Sequence, residues 1–162
     1  KLHFQVNYLA HFLLTELLKP LVVESAPSRI VNVASSAQTP IDFDDVNMDE
    51  GYTGSRAYGQ SKLAQILMTV DLAQELEDEA VITTALHPAT LMDTELVREA
   101  GIAPRSTIEE GAEAVMHLVV GDDVTSGQYY NGQNAVEANA QAYDAAARAR
   151  LRDISLGLTG LR

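Results

Sequence analysis

Tyr58 and Lys62 stand four residues apart, with Ser61 beside the lysine and Ser35 at the end of an apolar run upstream. Residues at i and i+4 share one face of a helix. A lysine ammonium next to a phenol favours the phenolate through opposite charge, which suits Tyr58 to giving or taking a proton near neutral pH. The same spacing fits any solvated helix turn, so the surrounding elements decide whether the pair belongs to a site.

Those elements alternate. Phe4 to about Val23 is apolar around much of its circumference, as in a helix buried on two sides. Arg29-Ile30-Val31-Asn32-Val33-Ala34, bounded by Pro27-Ser28 and Ser35-Ser36, reads as a strand. Val81 to Leu86 reads as a second, stopped by His87-Pro88. Between them Leu63, Ile66, Leu67, Val70 and Ala73 recur at helical spacing, which puts Tyr58 near the start of a long amphipathic helix with Ser55 as its cap. Thr107-Ile108-Glu109-Glu110 has the pattern of a capping box opening a helix to about Val120. Gln128 to Tyr130 reads as a short strand, and Ala135 to about Ile154 as a helix with Gly157 and Gly160 at its end.

The alternation is that of an α/β fold, three parallel strands joined by crossover helices. Ligands of such sheets bind beyond the carboxyl ends of the strands. Ser35 follows the first strand, Pro88 to Thr94 follow the second, and Tyr58 opens the helix between them, so three polar features converge on one sheet edge.

A chain of 162 residues, 46% hydrophobic, is enough for one domain with a sizeable core, residues 1–162. It has no cysteine, which excludes disulfides and thiolate chemistry and suits a reducing cytoplasm. A net charge of -12 opposes nucleic acid and anionic membrane surfaces. Phe12 to Val23 is interrupted by Thr15, Glu16, Lys19 and Pro20, short of the ~18 uninterrupted apolar residues of a membrane span. No export signal is expected ahead of the structured part. The expectation is a soluble, cytoplasmic protein with neither nucleic acid nor membrane as a partner. His3, His11, His87 and His117 lack metal-ligand spacing. Asp42, Asp44, Asp45, Asp49 and Glu50 fit no Ca²⁺ loop and read as a solvated insertion, so no metal is expected.

Four segments, Phe4 to Phe12, Arg29 to Ser36, Ala57 to Ala64 and His87 to Thr94, together resemble the short-chain dehydrogenase/reductase family, in particular its retinol-dehydrogenase-like branch. The similarity continues to Ser126-Gly127-Gln128-Tyr129-Tyr130-Asn131-Gly132. It implies the C-terminal part of a Rossmann-type doubly wound parallel sheet and an oxidoreductase interconverting an alcohol and a carbonyl with NAD or NADP. Carried over position by position, Tyr58 is the general acid/base and Lys62 holds the phenolate and the cofactor ribose. Ser35 steadies the substrate oxygen, and Asn7 holds a relay water to Lys62. Tyr58, Lys62, Pro88, Ala89, Leu91 and Thr94 would face the cofactor. Family dimers imply a homo-oligomer through the Asn7 and Tyr58 helices, and the substrate would be a small apolar alcohol or carbonyl compound.

The chain departs from the pattern in two ways. Ala89 replaces a usual glycine, with one apparent extra residue before Thr94, which leaves Asp93 and Thr94 as alternatives for the carboxamide contact. The 162 residues also hold no Gly-rich turn after a strand and no ribose-selecting residue, so NAD and NADP are not distinguished. Two other functions stay open at this point: a non-catalytic fragment acting in assembly, and a relative of the sugar-nucleotide epimerases.

Overall fold

The structure, a computed structural model, describes residues 2–162. A helical rod, Leu2–Glu24, opens it. Its parts are α1 (Leu2–Phe4), a π-helical turn (Gln5–Leu9) and α2 (Ala10–Glu24). There follow β1 (Ser28–Val33), α3 (Gly54–Glu75), β2 (Val81–His87), α4 (Glu95–Glu99), α5 (Ile108–Val120), β3 (Tyr129–Asn131), β4 (Asn134–Val136), a 3₁₀ turn (Ala140–Tyr143) and α6 (Ala145–Thr159).

The strands lie in the order β1-β2-β3-β4. β1 pairs parallel with β2 from Ser28 opposite Val81 to Val33 opposite Leu86, and β3 pairs parallel with β2 from Tyr129 opposite Ala85. This is the expected parallel α/β sheet with one strand more. β4 runs antiparallel to β3, where the alanine-rich composition after Ala135 suggested helix. The turn explains it: Gly132 takes φ 60°, open to glycine without steric cost, and lets the chain fold straight back on β3. The last helix starts only where Asp144 caps it, its Oδ1 accepting from Ala146 N at 2.9 Å. Gly160 ends it at φ 71°.

The cap of α3 also differs from expectation. Thr53 Oγ1 accepts from Arg56 N at 3.3 Å, which places Ser55 inside the first turn. The capping box of α5 forms as read, with Thr107 N donating to Glu110 Oε2 at 2.7 Å and Glu110 N to Thr107 Oγ1 at 3.1 Å.

Alternate strand residues face opposite ways. On one side Ala85 and Tyr129 join Leu63, Ile66, Leu67 and Leu72 of α3 in the main core. Three polar side chains there are linked: Asn32 Nδ2 donates to Thr69 Oγ1 at 3.0 Å, and Thr83 Oγ1 to Thr69 O at 3.0 Å. On the other side Leu86 and Tyr130 pack with Ala114 and Leu118 of α5. Arg29 closes that helix from the sheet, donating to Leu118 O at 2.8 Å and Gly121 O at 2.7 Å, a cation at the negative end of the helix.

α3 is buried nearly all round. Phe4, Tyr8 and Phe12 flank it, four residues apart with ring centroids 5.1 and 6.1 Å apart in succession. Ala147 and Leu151 of α6 close the same core. The Tyr8 hydroxyl and Ser155 Oγ are 2.8 Å apart across it. A charged cluster ties the three helices together at one end: Lys19 reaches Glu16 at 2.7 Å and Glu75 at 2.6 Å, and Arg152 reaches Glu75 at 3.0 Å and Glu16 at 3.4 Å.

The acidic insertion is more than solvated chain. Ile41 and Met48 are buried, and Ile41 exchanges hydrogen bonds with the Gln141 side chain at 2.6 and 3.1 Å. Asp45 accepts from Asp49 N and Glu50 N at 2.9 Å each, so its carboxylate builds a turn. On the far side of α2, Leu14, Leu17, Leu18 and Leu21 are exposed, and among the described residues β1 has no partner strand along its outer edge. The rod Leu2–Glu24 is also long and apolar enough, by length and composition, to cross a membrane, although Thr15, Glu16, Lys19 and Pro20 interrupt its apolar run.

Candidate active site

A cleft of about 460 Å³ opens beyond the carboxyl ends of β1 and β2. Ser35, Tyr58, Lys62, Pro88, Ala89, Leu91 and Thr94 all line it, so seven of the eight residues singled out from the sequence meet at one place. Asn7 is the eighth and lies behind it. Its Nδ2 donates to Ser61 Oγ at 3.0 Å, and Ser61 Oγ donates to Tyr58 O at 2.7 Å. The π-helical turn carries Asn7 to this position, so its side chain braces the backbone of the tyrosine turn.

Each cleft residue is held by its element. Ser35 follows β1 and is buried, with its Oγ accepting from Ala37 N at 3.1 Å, which leaves the hydroxyl hydrogen to donate. The Tyr129 hydroxyl donates to Ser35 O at 3.0 Å and fixes the strand end. Burial pushes the Tyr129 phenol above its usual range, so it is a neutral donor. Ser36, beside Ser35, is exposed and also lines the cleft.

Tyr58 sits one turn into α3, 37% exposed. Gly59 lets the chain pass close beside it: a Cβ there would stand 2.3 Å from Thr39 Oγ1 and 3.2 Å from Thr39 N. Lys62 Nζ lies 5.8 Å from the Tyr58 ring centroid and donates to Val33 O at 2.9 Å and Gln65 Oε1 at 3.2 Å. Desolvation holds the Lys62 ammonium below its usual pKa.

The loop after β2 forms the other wall. Pro88, Ala89, Leu91 and Thr94 line the cleft, whereas Asp93 is turned to Arg98, 2.9 Å away. Of the two alternatives, Thr94 is the one that lines the cleft. Leu91 takes φ 50°, a left-handed conformation costly for a leucine and found most often where a loop is fixed for use.

Two further residues of the site are not read from the sequence, His87 in the cleft wall and Gln65 buried behind it. His87 lacks metal-ligand spacing, and its place is in the cleft wall. It lines the cleft at 8% exposure with Nε2 2.9 Å from Thr90 Oγ1, and burial lowers its pKa, keeping the imidazole neutral. Its place as the last residue of β2 was the available signal. Gln65, which shares Lys62, gave none beyond its spacing of three.

A parallel sheet with helices on both faces and a polar cleft at its carboxyl edge defines an α/β protein of the Rossmann type. Comparisons with known proteins make the class specific. The model of the family described as short chain dehydrogenase matches residues 1–104, and the chain belongs to that family. It is similar to human retinol dehydrogenase 11, 37% identical over 174 residues, which span 99% of this chain and 54% of the relative. It is similar also to human retinol dehydrogenase 14, 38% identical over 178 residues, 99% of this chain and 53% of the relative. The chain therefore spans about half the length of these relatives. Among solved structures, an uncharacterised protein from Mycobacterium paratuberculosis superposes with TM-score 0.75 at 28% identity over 95% of this chain and 57% of its own. NADPH-bound carbonyl reductase from chicken fatty liver shares the fold with TM-score 0.63 at 21% identity, over 83% of this chain and 55% of its own.

Proposed function

We propose that the protein to which this chain belongs is a nicotinamide-dependent oxidoreductase that interconverts an alcohol and a carbonyl in a small apolar molecule. The family supports an oxidoreductase in general. The observation that carries the finer reading is the convergence of Ser35, Tyr58, Lys62 and the Pro88–Thr94 loop on one cleft.

The residues present fit the nicotinamide end of the cofactor. Lys62 has three donors and spends two on Val33 O and Gln65 Oε1, leaving one for a ribose hydroxyl. Pro88, Ala89, Leu91 and Thr94 supply the wall against which the ring would lie. The bound nicotinamide supplies or accepts the hydride at the substrate carbon. Tyr58 gives the proton to the substrate oxygen in reduction and takes it in oxidation. Ser35 donates to the same oxygen and stabilises its developing charge, as a preorganised donor does. Asn7 and Ser61 hold the Tyr58 turn in place; a water between Asn7 and Lys62 remains part of the proposal. His87, kept neutral, fixes Thr90 and with it the loop.

Pyrophosphate and adenine need a Gly-rich turn, which these 162 residues do not contain. The relatives are about twice as long. The exposed Leu14, Leu17, Leu18 and Leu21 and the outer edge of β1 are where further strands and helices of the same domain would pack. Substrates of the retinoid type come into consideration through the names of the relatives.

The test is reduction of apolar aldehydes, retinal first, by the full-length protein with NADH and NADPH, followed as loss of reduced-cofactor absorbance. Turnover with one of the two cofactors is expected. Absence of turnover with both, across short, long and cyclic aldehydes, refutes the reading.

A further inference from the structure

Gly111 lies inside α5, away from the residues assigned to the chemistry, and its backbone is helical. A glycine is not needed there for conformation, and within a helix it is less stable than alanine. What it does is leave room. A Cβ on Gly111 would stand 2.2 Å from Met92 Sδ, 3.5 Å from Cε and 3.6 Å from Cγ. The thioether thus rests directly on the bare backbone of α5 while the same side chain lines the cleft.

Met92 cannot retreat through its backbone. It forms a bridge with Ser106. On either side Asp93 N donates to Ser106 O at 3.0 Å and Arg105 N to Leu91 O at 3.0 Å. Leu91 before it is already in the left-handed region. With the main chain pinned, only rotation of the side chain can relieve a new Cβ. α5 closes one side, and the cleft that Met92 already lines offers room on another.

We infer that Gly111 and Met92 together set the depth of the cleft: the glycine notch seats the methionine flat against α5, and the seated thioether determines how bulky an apolar substrate the cleft accepts. Gly111 is a positioning residue, acting through Met92. Methionine suits the place because its unbranched, polarisable side chain conforms to an irregular wall. This rests on the oxidoreductase reading above, and it adds a specificity determinant on an element outside the cleft.

The experiment compares Gly111→Ala, Met92→Ala and the double variant in the full-length protein, with propanal and a bulky cyclic apolar aldehyde as substrates. Misfit by about one methylene discriminates roughly 10–200-fold. Gly111→Ala is therefore expected to lower kcat/KM for the bulky aldehyde by about tenfold or more, mainly through KM, and for propanal by less than about threefold. Adding Met92→Ala restores the bulky substrate. Equal loss on both aldehydes, or no relief from Met92→Ala, overturns the inference. Methyl-¹³C methionine NMR supplies a readout independent of turnover. A displaced Met92 methyl signal in Gly111→Ala, assigned by its disappearance in Met92→Ala, supports the notch even if the wild type reduces no aldehyde. An unmoved signal overturns it.

Discussion

Replacing either partner of the Tyr8–Ser155 pair tests how α6 is held on the core, and the two replacements should not cost the same. The oxygens are 2.8 Å apart, with Tyr8 1% and Ser155 0% exposed. Ser155 Oγ also donates to Leu151 O at 2.7 Å. Its proton is therefore committed, and the phenol is the donor between the two. Tyr8→Phe leaves Ser155 with its bond to Leu151 and removes a single neutral hydrogen bond, a loss of about 0.5–1.5 kcal/mol. Ser155→Ala strands a buried phenol hydroxyl, a loss of about 1–3 kcal/mol. The double variant should cost less than the two single losses added together, because the stranded donor is gone.

The pair also carries a pH signature. Burial raises the Tyr8 phenol well above its ordinary value. The folded state then keeps a proton that the unfolded chain releases above about pH 10. Stability from this group is complete below that pH and declines above it, and Tyr8→Phe removes that part of the decline. Urea unfolding followed by circular dichroism at neutral and alkaline pH measures all of these. A Tyr8→Phe loss equal to or larger than that of Ser155→Ala refutes the assignment of the donor.

Tyr58→Phe should lower turnover by about 10²–10⁴-fold, the usual contribution of a positioned proton donor. It should change stability by less than about 0.5 kcal/mol, since no hydrogen bond among the described residues involves that hydroxyl; steady-state kinetics and thermal melts of the same sample read both, and retained turnover would count against the chemistry. Leu151→Ala, at a side chain 1% exposed, should cost about 2–5 kcal/mol through the cavity it leaves between α6 and α3; a loss below about 1 kcal/mol in urea unfolding would show α6 to be loosely seated. Thr107→Ala removes one half of the α5 capping box and should cost about 0.5–2 kcal/mol, with Thr107→Ser recovering most of it.

Much of the sheet and cleft was legible because local signals and tertiary demands agree there. The β-branched run at Arg29–Val33 and the apolar spacing of Leu63, Ile66 and Leu67 each fit one element only, and topology brings their ends together. The failures share a cause, that the deciding interaction is far away in sequence or confined to the backbone. Ala135 and Val136 have no strand signal of their own and become one because Gly132 reverses the chain onto β3. Thr53 caps α3 because the insertion delivers it in extended conformation, φ -134° and ψ 142°. The acidic segment looked solvated because its anchors, Ile41 and Met48, are few and its partner Gln141 is 100 residues away. Asn7 was singled out only through the family resemblance. Its bond to Ser61 depends on the π-helical turn, whose extra residue per turn leaves no mark in the hydrophobic pattern.

α6 brings its apolar residues to the flank of α3 and sets Arg148 on Gln74 of that helix at 3.0 Å. The flank of α3 that α6 covers is thereby closed to a second copy of the chain. A seated α6 and a second copy packed on that flank would compete for one surface. Self-association by that route would have to peel away about 15 residues of the chain's own helix, so weakening α6, as in Leu151→Ala, shifts the balance toward dimer.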